Sequence, residues 1–348
     1  MADGGGIGHL GLSSGGTINN NKIVFNQTFN QSANPTGAGV FIGGEASLDG
    51  SGLSPGTGSV TVTQNLIQGN NAGAGAGGGV RLAQVNGLDV SRSSNNAGSW
   101  NTVTLVNNMI VDNVSAYAGG GVSMVDALRV NASNNTIANN DSTGTNQEAF
   151  PSAGSTTSNA QPAGLVAHAT TSALQLAIGN PNGNSSSARL VRDLKATPFS
   201  KPTLFNNIVL HNRSFCWAIT GPNAGEFGLF DPNSDGTCTG KTPGSPTAGS
   251  NPVYVDLAVL GTANQGSFAN RYVGSGIDKL TPDHSILTDL LGANGYANGH
   301  SNITGDPLFL SAYFNGSAKP APIIPGYTTT IDTAATVDEG ANFIDIRY

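Results

Sequence analysis

Five copies of one short frame constrain the fold of this chain more than any other feature. The frame is Asn-x-[Ile/Val]-x-x-Asn, and a glycine run ending in an aliphatic residue follows most copies. The copies lie at residues 21–26, 65–70, 108–113, 135–140 and 207–212. Self-similarity along a chain is the signature of architectures in which each repeat packs on its neighbours. The frame therefore predicts an all-β fold, a right-handed parallel β-helix in which short coils stack as a solenoid.

The aliphatic position of the frame indicates where the core should lie. Residues 59–63 and 102–106 alternate with period two, which is typical of strands with one buried face. Neighbouring strands lie about 4.8 Å apart, so equivalent residues of successive coils should stack. We therefore predict one buried column of side chains, formed by Ile23, Ile67, Ile110, Ile137 and Val209.

The asparagines and glycines of the frame have a structural interpretation. Stacked asparagine side chains can hydrogen-bond to one another as a ladder, and asparagine tolerates the left-handed backbone of a tight corner. Glycine is required at the other corner, where φ is positive or neighbouring backbones crowd together. We therefore expect these residues to shape the corners rather than to bind a ligand.

Spacing between the copies predicts where the chain departs from a plain coil. The first asparagines are 44, 43, 27 and 72 residues apart. We interpret 27 as one coil, 43 and 44 as one looped coil or two coils, and 72 as two or three. The extra length falls largely at residues 43–57, 83–99 and 170–200, so these loops should leave one corner and project from one face. In repeat proteins such a face usually binds.

Local patterns outside the repeats give further expectations. Residues 6–141 show no helical pattern, and residues 141–161 read as a polar surface loop. Residues 172–178 and 188–196 fit either a short helix or a strand, whereas residues 285–291 have helical spacing.

Three regions follow from these patterns. We expect β-helix repeats over residues 1–213, an insertion or capping elaboration over 214–301, and a return to the β-helix over 302–348. The second region holds both cysteines, Cys216 and Cys238, which would form one disulfide in a secreted protein. Two free thiols would instead fit a cytosolic protein.

Composition narrows the range of functions. Charged residues make up 10% of the chain, the formal net charge is −7, and the 14 Lys and Arg residues form no cluster. Binding of nucleic acid through its phosphates is therefore not expected. The sequence shows no signal peptide and no transmembrane run, so we expect no membrane insertion. An acidic surface rich in amides and hydroxyls suits extracellular life or contact with carbohydrate.

Two paired motifs carry a family resemblance. Ile67-Gln68-Gly69-Asn70 is followed by Gly77-Gly78-Gly79-Val80, and Ile110-Val111-Asp112-Asn113 by Gly119-Gly120-Gly121-Val122. The pair resembles the tandem repeats of polymorphic outer-membrane-type proteins and other bacterial right-handed parallel β-helices, although that family often has Phe where this chain has Ile. The resemblance covers residues 1–213, and residues 302–348 look like the end of large bacterial surface β-helix proteins.

The resemblance implies an extracellular or bacterial cell-surface module, adhesin-like, structural or able to bind a glycan or surface. Because the sequence starts inside a repeat, we expect a fragment of a larger secreted protein. Its terminal coils should be open edges, covered by neighbouring domains of that parent or by another copy.

A non-enzymatic role is favoured, and the alternative is a polysaccharide lyase or hydrolase on a pectate-lyase-like β-helix. Such enzymes need clustered carboxylates with a basic residue nearby. Acids are sparse in the repeats, and the best candidates are Asp112, Asp126 and Arg129, which could lie on neighbouring strands.

One stretch suggests a metal. Residues 231–236 match the Asp-x-Asn-x-Asp-Gly start of a calcium loop, with Asp231, Asn233 and Asp235 as ligands. Thr242 stands where the closing Glu should be, so a plain Asx turn is the competing interpretation. The five histidines show no metal-binding spacing, and no other cofactor is expected.

Overall fold

Parallel strands dominate the chain. The computed structural model describes residues 3–29, 35–219, 227–241, 251–297 and 299–309. Within these residues, four sheets of six or seven strands account for most of the regular structure, and helices are few and short. The expectation of an all-β fold made of stacked parallel strands is confirmed, and this stacking is compatible with a solenoid.

The first two sheets are A and B. Sheet A contains, in spatial order, β1 (Ile7–Leu10), β5 (Val40–Gly43), β9 (Val80–Ala83), β13 (Val122–Val125), β17 (Leu165–His168) and β24 (Leu257–Leu260). Sheet B contains β2 (Ser13–Asn19), β6 (Gly58–Thr63), β10 (Val103–Val106), β14 (Val130–Ser133), β18 (Thr203–Phe205) and β25 (Pro282–Asp283).

The other two sheets are C and D. Sheet C contains β3 (Lys22–Val24), β7 (Leu66–Gln68), β11 (Met109–Val111), β15 (Thr136–Ala138), β19 (Ile208–Leu210), β26 (Ile286–Leu287) and β27 (Ile303–Thr304). Sheet D contains β4 (Gln27–Thr28), β8 (Asn71–Ala72), β12 (Val114–Ser115), β16 (Asp141–Ser142), β20 (Arg213–Ser214) and β23 (Val253–Tyr254), of which β23 is antiparallel to β20. The chain visits A, B, C and D in turn and then returns to A, and we call one such circuit a pass.

Every interval between copies of the frame is a single pass. Strands β3, β7, β11, β15 and β19 are successive neighbours in sheet C, although their ladder asparagines are 44, 43, 27 and 72 residues apart. The prediction of two or three coils in the 72-residue interval is wrong. Its extra residues lie in long connections before and after β17. Stacking determines the position of each strand, whereas the connections between strands can vary in length. Strands β24, β25 and β26, within residues 214–301, join the same sheets.

The predicted core column is confirmed. Cα register in sheet C pairs Ile23 with Ile67, Ile67 with Ile110, Ile110 with Ile137 and Ile137 with Val209. All five side chains are buried and belong to one apolar cluster, which also takes in the inward residues of sheets A and B. Burial of each such side chain contributes roughly 1.5–3 kcal/mol.

Two asparagine ladders run beside this column, as predicted. The first Asn ladder comprises Asn21, Asn65, Asn108, Asn135 and Asn207, and the second comprises Asn26, Asn70, Asn113, Asn140 and Asn212. In both, each Nδ2 donates to the Oδ1 of the next member over 2.8–3.1 Å. From Asn65 and Asn70 onward, Nδ2 also donates to a carbonyl of the preceding pass. The buried amides are therefore fully hydrogen-bonded.

The corner geometry corrects one detail of the sequence interpretation. The ladder asparagines do not adopt the left-handed backbone. The preceding residue does, at φ of 57° for Gln64 and 56° for Asp112. Glycine has both expected roles, because Gly77 has a φ of +74° and a Cβ on Gly79 would lie 2.6 Å from the carbonyl oxygen of Gly121.

A carboxyl group ends the second Asn ladder. Oδ1 of Asp256 accepts the backbone N–H and the Nδ2–H of Asn212, and its Oδ2 accepts the N–H of Thr288. Burial raises the pKa of Asp256, and these hydrogen bonds oppose the rise. The aspartate thus takes the place of the next asparagine and uses both oxygens as acceptors.

At the other end the sheets are open within the described residues. Strands β1, β2, β3 and β4 each pair with a strand on one side only. Leu10 and Leu12 near this end are 65% and 66% exposed. This arrangement agrees with the expected open edge, and what covers it stays a prediction.

Helices occupy the connections after sheet A. They are α1 (Leu88–Arg92), α2 (Ser172–Ala177) and α3 (Ser186–Ala196), with 3₁₀ turns at Ala97–Ser99 and Phe268–Asn270. A further 3₁₀ turn, Gln147–Ala149, lies in the connection from sheet D to sheet A. The prediction of no helix before residue 141 is therefore wrong, as is the helix predicted at 285–291, where strand β26 lies. Three connections from sheet A to sheet B, those after β5, β9 and β17, contribute apolar residues to one cluster. It includes Leu53, Val90, Trp100, Leu174 and Val191. The loops thus pack together on one side.

A disulfide holds the connection between sheets D and A. Cys216 and Cys238 are bonded, as predicted. Cys216 begins β21 (Cys216–Ile219), which pairs antiparallel with β22 (Phe227–Phe230). Both cysteines are buried with Val166 and Ala258 on the outer face of sheet A. The residues after 141 are therefore more than the surface loop predicted there, because they pack between β16 and this hairpin.

Candidate functional site

The three predicted catalytic residues each have hydrogen-bond partners elsewhere in the described structure. Asp126 follows β13, and its Oδ1 accepts the N–H of Thr171 over 2.7 Å at the start of α2. The Nη1 of Arg129 donates to the carbonyls of Ala97 at 2.5 Å and Trp100 at 3.3 Å. Both side chains therefore hold the connections after sheet A in place.

Asp112 lies on another side of the molecule. Its Oδ2 accepts a hydrogen bond from Nε2 of Gln68 over 3.1 Å, while its buried Oδ1 has no hydrogen-bond partner among the residues that the structure describes. A buried ion pair is close by, in which Arg213 binds Asp141 through Nε and Nη2, both at 2.7 Å. Burial raises the pKa of Asp112 to about 8; the charge of Asp141 adds to the rise, whereas Gln68 and Arg213 oppose it.

This shift predicts a pH-dependent gain from Asp112→Asn. A carboxyl whose pKa is about 8 when folded and 3.8 when unfolded contributes full stability below pH 4 and loses it as the pH rises towards 8. The variant should therefore gain stability over the wild type across pH 5–8, reaching about 2 kcal/mol or more. Asn139, at the equivalent corner of the next pass, has nearly the same backbone, with φ of 55° against 56°. Urea unfolding at pH 5, 7 and 9 measures the difference, and a gain that is constant with pH would contradict it.

The calcium-like stretch forms a turn closed by its own side chains. Oδ1 of Asp235 accepts the N–H and the Oγ1–H of Thr237, and Nδ2 of Asn233 donates to the carbonyl of Thr239. Asp231 accepts the N–H of Asn251. Across the ranges that the structure describes, no three His, Cys, Asp or Glu side chains form a group suited to a metal. The contacts are those of the Asx-turn interpretation.

An open cavity lies beside the outer face of sheet A and the disulfide-bonded connection. It has a volume of about 460 Å³ and reaches Leu260 at the end of β24. Its polar and aromatic lining residues are Tyr117, Glu148, Asn159, Gln161, Asp235, Thr237, Gln265, Ser267, Phe268 and Tyr272. We call this cavity the sheet-A groove. Another opening, of about 620 Å³, is lined by residues between 269 and 294 and has Arg271 and Asp289 as its charged side chains.

Three polar side chains form a row on the sheet next to the groove. Arg81 and Ser123 are Cα partners on β9 and β13, and His168 ends β17. Nη1 of Arg81 donates to Oγ of Ser123 over 2.5 Å, and Oγ of Ser123 lies 3.0 Å from Nε2 of His168. The row adjoins the groove through Tyr117, whose ring centroid is 6.1 Å from that of His168.

The sequence analysis missed this row, although one signal was present. Arg81 and Ser123 each stand between two inward aliphatic residues of the strand that follows a glycine run. Such positions point away from the core, because side chains alternate along a strand. A polar residue there is a candidate for a binding surface.

Fold and groove together define an all-β protein of stacked parallel strands, with a polar groove beside the outer face of one sheet. Comparison of the chain with protein-family models, with curated proteins and with solved structures gives no match. Of the helices in the described ranges, none is long and apolar enough to cross a membrane.

Proposed function

We propose that this chain is a right-handed parallel β-helix module of an extracellular or cell-surface protein, and that its sheet-A groove binds a glycan. The chain passes through the same four sheets in the same order on successive passes, which supports the β-helix. Its right hand is supported by the rule that parallel crossovers are right-handed in nearly all proteins. The disulfide supports an oxidising compartment. The module would act as an adhesin-like or surface-binding part of a larger protein.

The lining of the groove is the observation that carries the glycan proposal. Asn159, Gln161 and Gln265 line the groove with amides, which can donate and accept hydrogen bonds, and Glu148 adds acceptors. Within the chain, Nε2 of Gln161 donates to the carbonyl of Asn159 and Oε1 of Gln265 accepts the N–H of Gly261, so the remaining capacity of these amides faces a ligand. Tyr117 is half-buried and offers a ring beside them. Sugars present hydroxyls of both hydrogen-bonding senses and apolar C–H faces, so this combination suits them.

The alternative, a polysaccharide lyase or hydrolase, has less support. Its candidate acids and base are Asp112, Asp126 and Arg129, of which the last two bind the loop backbone. Proton transfer to a sugar would need such groups within hydrogen-bond reach of one point in a cleft. We therefore propose binding without cleavage of the glycan chain.

A glycan array followed by titration calorimetry tests this function. We expect the wild type to bind at least one class of oligosaccharide, and Tyr117→Ala to weaken that binding about tenfold by removing an aromatic anchor. Phe205→Ala is the matched control, because Phe205 is an exposed aromatic residue on sheet B and should leave binding unchanged. Binding to no glycan, or equal binding by Tyr117→Ala, would refute the proposal, and release of shortened products would support the alternative.

A further inference from the structure

The hydrogen bonds in the row fix the role of Arg81. An arginine side chain can only donate, so the oxygen of Ser123 accepts from Arg81. That oxygen keeps a second lone pair and its own hydrogen, so its contact with Nε2 of His168 is a hydrogen bond in either tautomer of the ring. Burial, followed by the charge of Arg81, lowers the pKa of His168 to about 3, so its imidazole is neutral near pH 7. The neutral ring therefore carries one N–H donor and one acceptor nitrogen.

Arg81 is a cation without a close anionic partner. Among the described residues no carboxylate lies within 4.0 Å of its guanidinium, and its buried Nε has no hydrogen-bond partner. Burial lowers the pKa of Arg81 to about 10, while Asp3, Glu148 and Asp126 oppose this from a greater distance. The guanidinium is thus charged at neutral pH and half-buried. The row therefore presents one guanidinium cation beside a neutral imidazole.

We propose that Arg81, Ser123 and His168 form a subsite for the carboxylate of an acidic sugar in the glycan. This inference rests on the function proposed above and identifies the class of ligand. A guanidinium binds a planar carboxylate through two parallel hydrogen bonds, and Ser123 is hydrogen-bonded to both Arg81 and His168. The location fits, because Leu260, the Cα partner of His168, lines the groove.

The charges around the subsite restrict the glycan further. Glu148 and Asp235 line the groove and would repel further acidic sugars bound in it beside the subsite. The groove therefore suits a glycan in which a single acidic sugar stands between neutral ones, and disfavours a chain of consecutive uronic acids.

Paired oligosaccharides test the subsite. The probes are oligosaccharides of glucuronoxylan, hyaluronan and polygalacturonate, each beside a partner whose carboxyls have been reduced to alcohols. We expect the wild type to bind at least one glycan with isolated acidic sugars about tenfold more tightly than its reduced partner, and to bind polygalacturonate less well. Arg81→Gln should remove that preference while leaving the affinity for the reduced partner unchanged.

Matched variants separate the subsite from general charge and from folding. Arg189→Gln makes the same change at an exposed position of α3 and should retain the preference. Arg81→Lys keeps the charge without the planar fork and should bind with intermediate affinity. Equal binding of every acidic and reduced pair, or equal weakening of both by Arg81→Gln, would overturn the subsite and leave glycan binding standing. Binding to no oligosaccharide at all would refute both proposals.

Discussion

Replacing Asn113 with alanine is expected to lower the free energy of unfolding by about 4 kcal/mol. The Oδ1 of Asn113 accepts both the backbone N–H and the Nδ2–H of Asn70, and its own Nδ2 donates to Asn140 and to the carbonyl of Ile67. Alanine would leave at least two buried donors and one carbonyl without these partners. Each such group costs about 1–3 kcal/mol.

Urea unfolding followed by circular dichroism measures this loss. Asn131→Ala is the matched control, because Asn131 lies on β14 with its side chain exposed, and its loss should change stability by less than about 0.5 kcal/mol. Similar small effects for both variants would show that the second Asn ladder contributes little to stability.

Gly79→Ala should cost at least about 3 kcal/mol. A Cβ at this position would lie 2.6 Å from the carbonyl oxygen of Gly121 and 2.6 Å from Cγ2 of Ile110. Both neighbours belong to the next pass, so the passes would have to separate locally, which weakens the backbone hydrogen bonds between them. Backbone crowding therefore makes glycine necessary here.

Gly16→Ala provides the comparison. The nearest atom to a Cβ at Gly16 would be a methyl group of Val60 at 3.4 Å, an ordinary contact, so we expect a change within about 0.5 kcal/mol. Thermal unfolding of both variants tests the pair, and equal melting temperatures would contradict the crowding argument.

The repeated interior could be predicted from the sequence because one rule acts at every pass. Ile67 and Asn70 pack against their own equivalents in the neighbouring passes, so identical spacing within each frame is sufficient to place them. The disulfide followed from there being only two cysteines. These predictions depend only on short sequence patterns and on contacts between equivalent residues, so they do not require the paths of the connections.

The connections and the groove could not be predicted in the same way. Stacking fixes where Asn135 and Asn207 meet but places no limit on the length of chain between these two residues, which are 72 positions apart in the sequence. Helix α1 has five residues and is stabilised by burying Val90 against other connections, which leaves little local signal. Ser123 and His168 are 45 residues apart, and their contact depends on the length of the pass between them.

The second Asn ladder also gives the fold a dipole along the direction in which the passes stack. From Asn70 onward each Oδ1 accepts from the asparagine of the preceding pass, and each member donates through Nδ2 to the next, so the side-chain carbonyl dipoles point the same way along the ladder. Aligned peptide dipoles in a helix place partial positive charge at one end, and the same addition applies to a column of amides. Asp256 stands at the end where the N–H groups point, so an acidic group meets the positive pole. A further pass of this type would therefore extend the column only from the opposite, oxygen-bearing pole at Asn26.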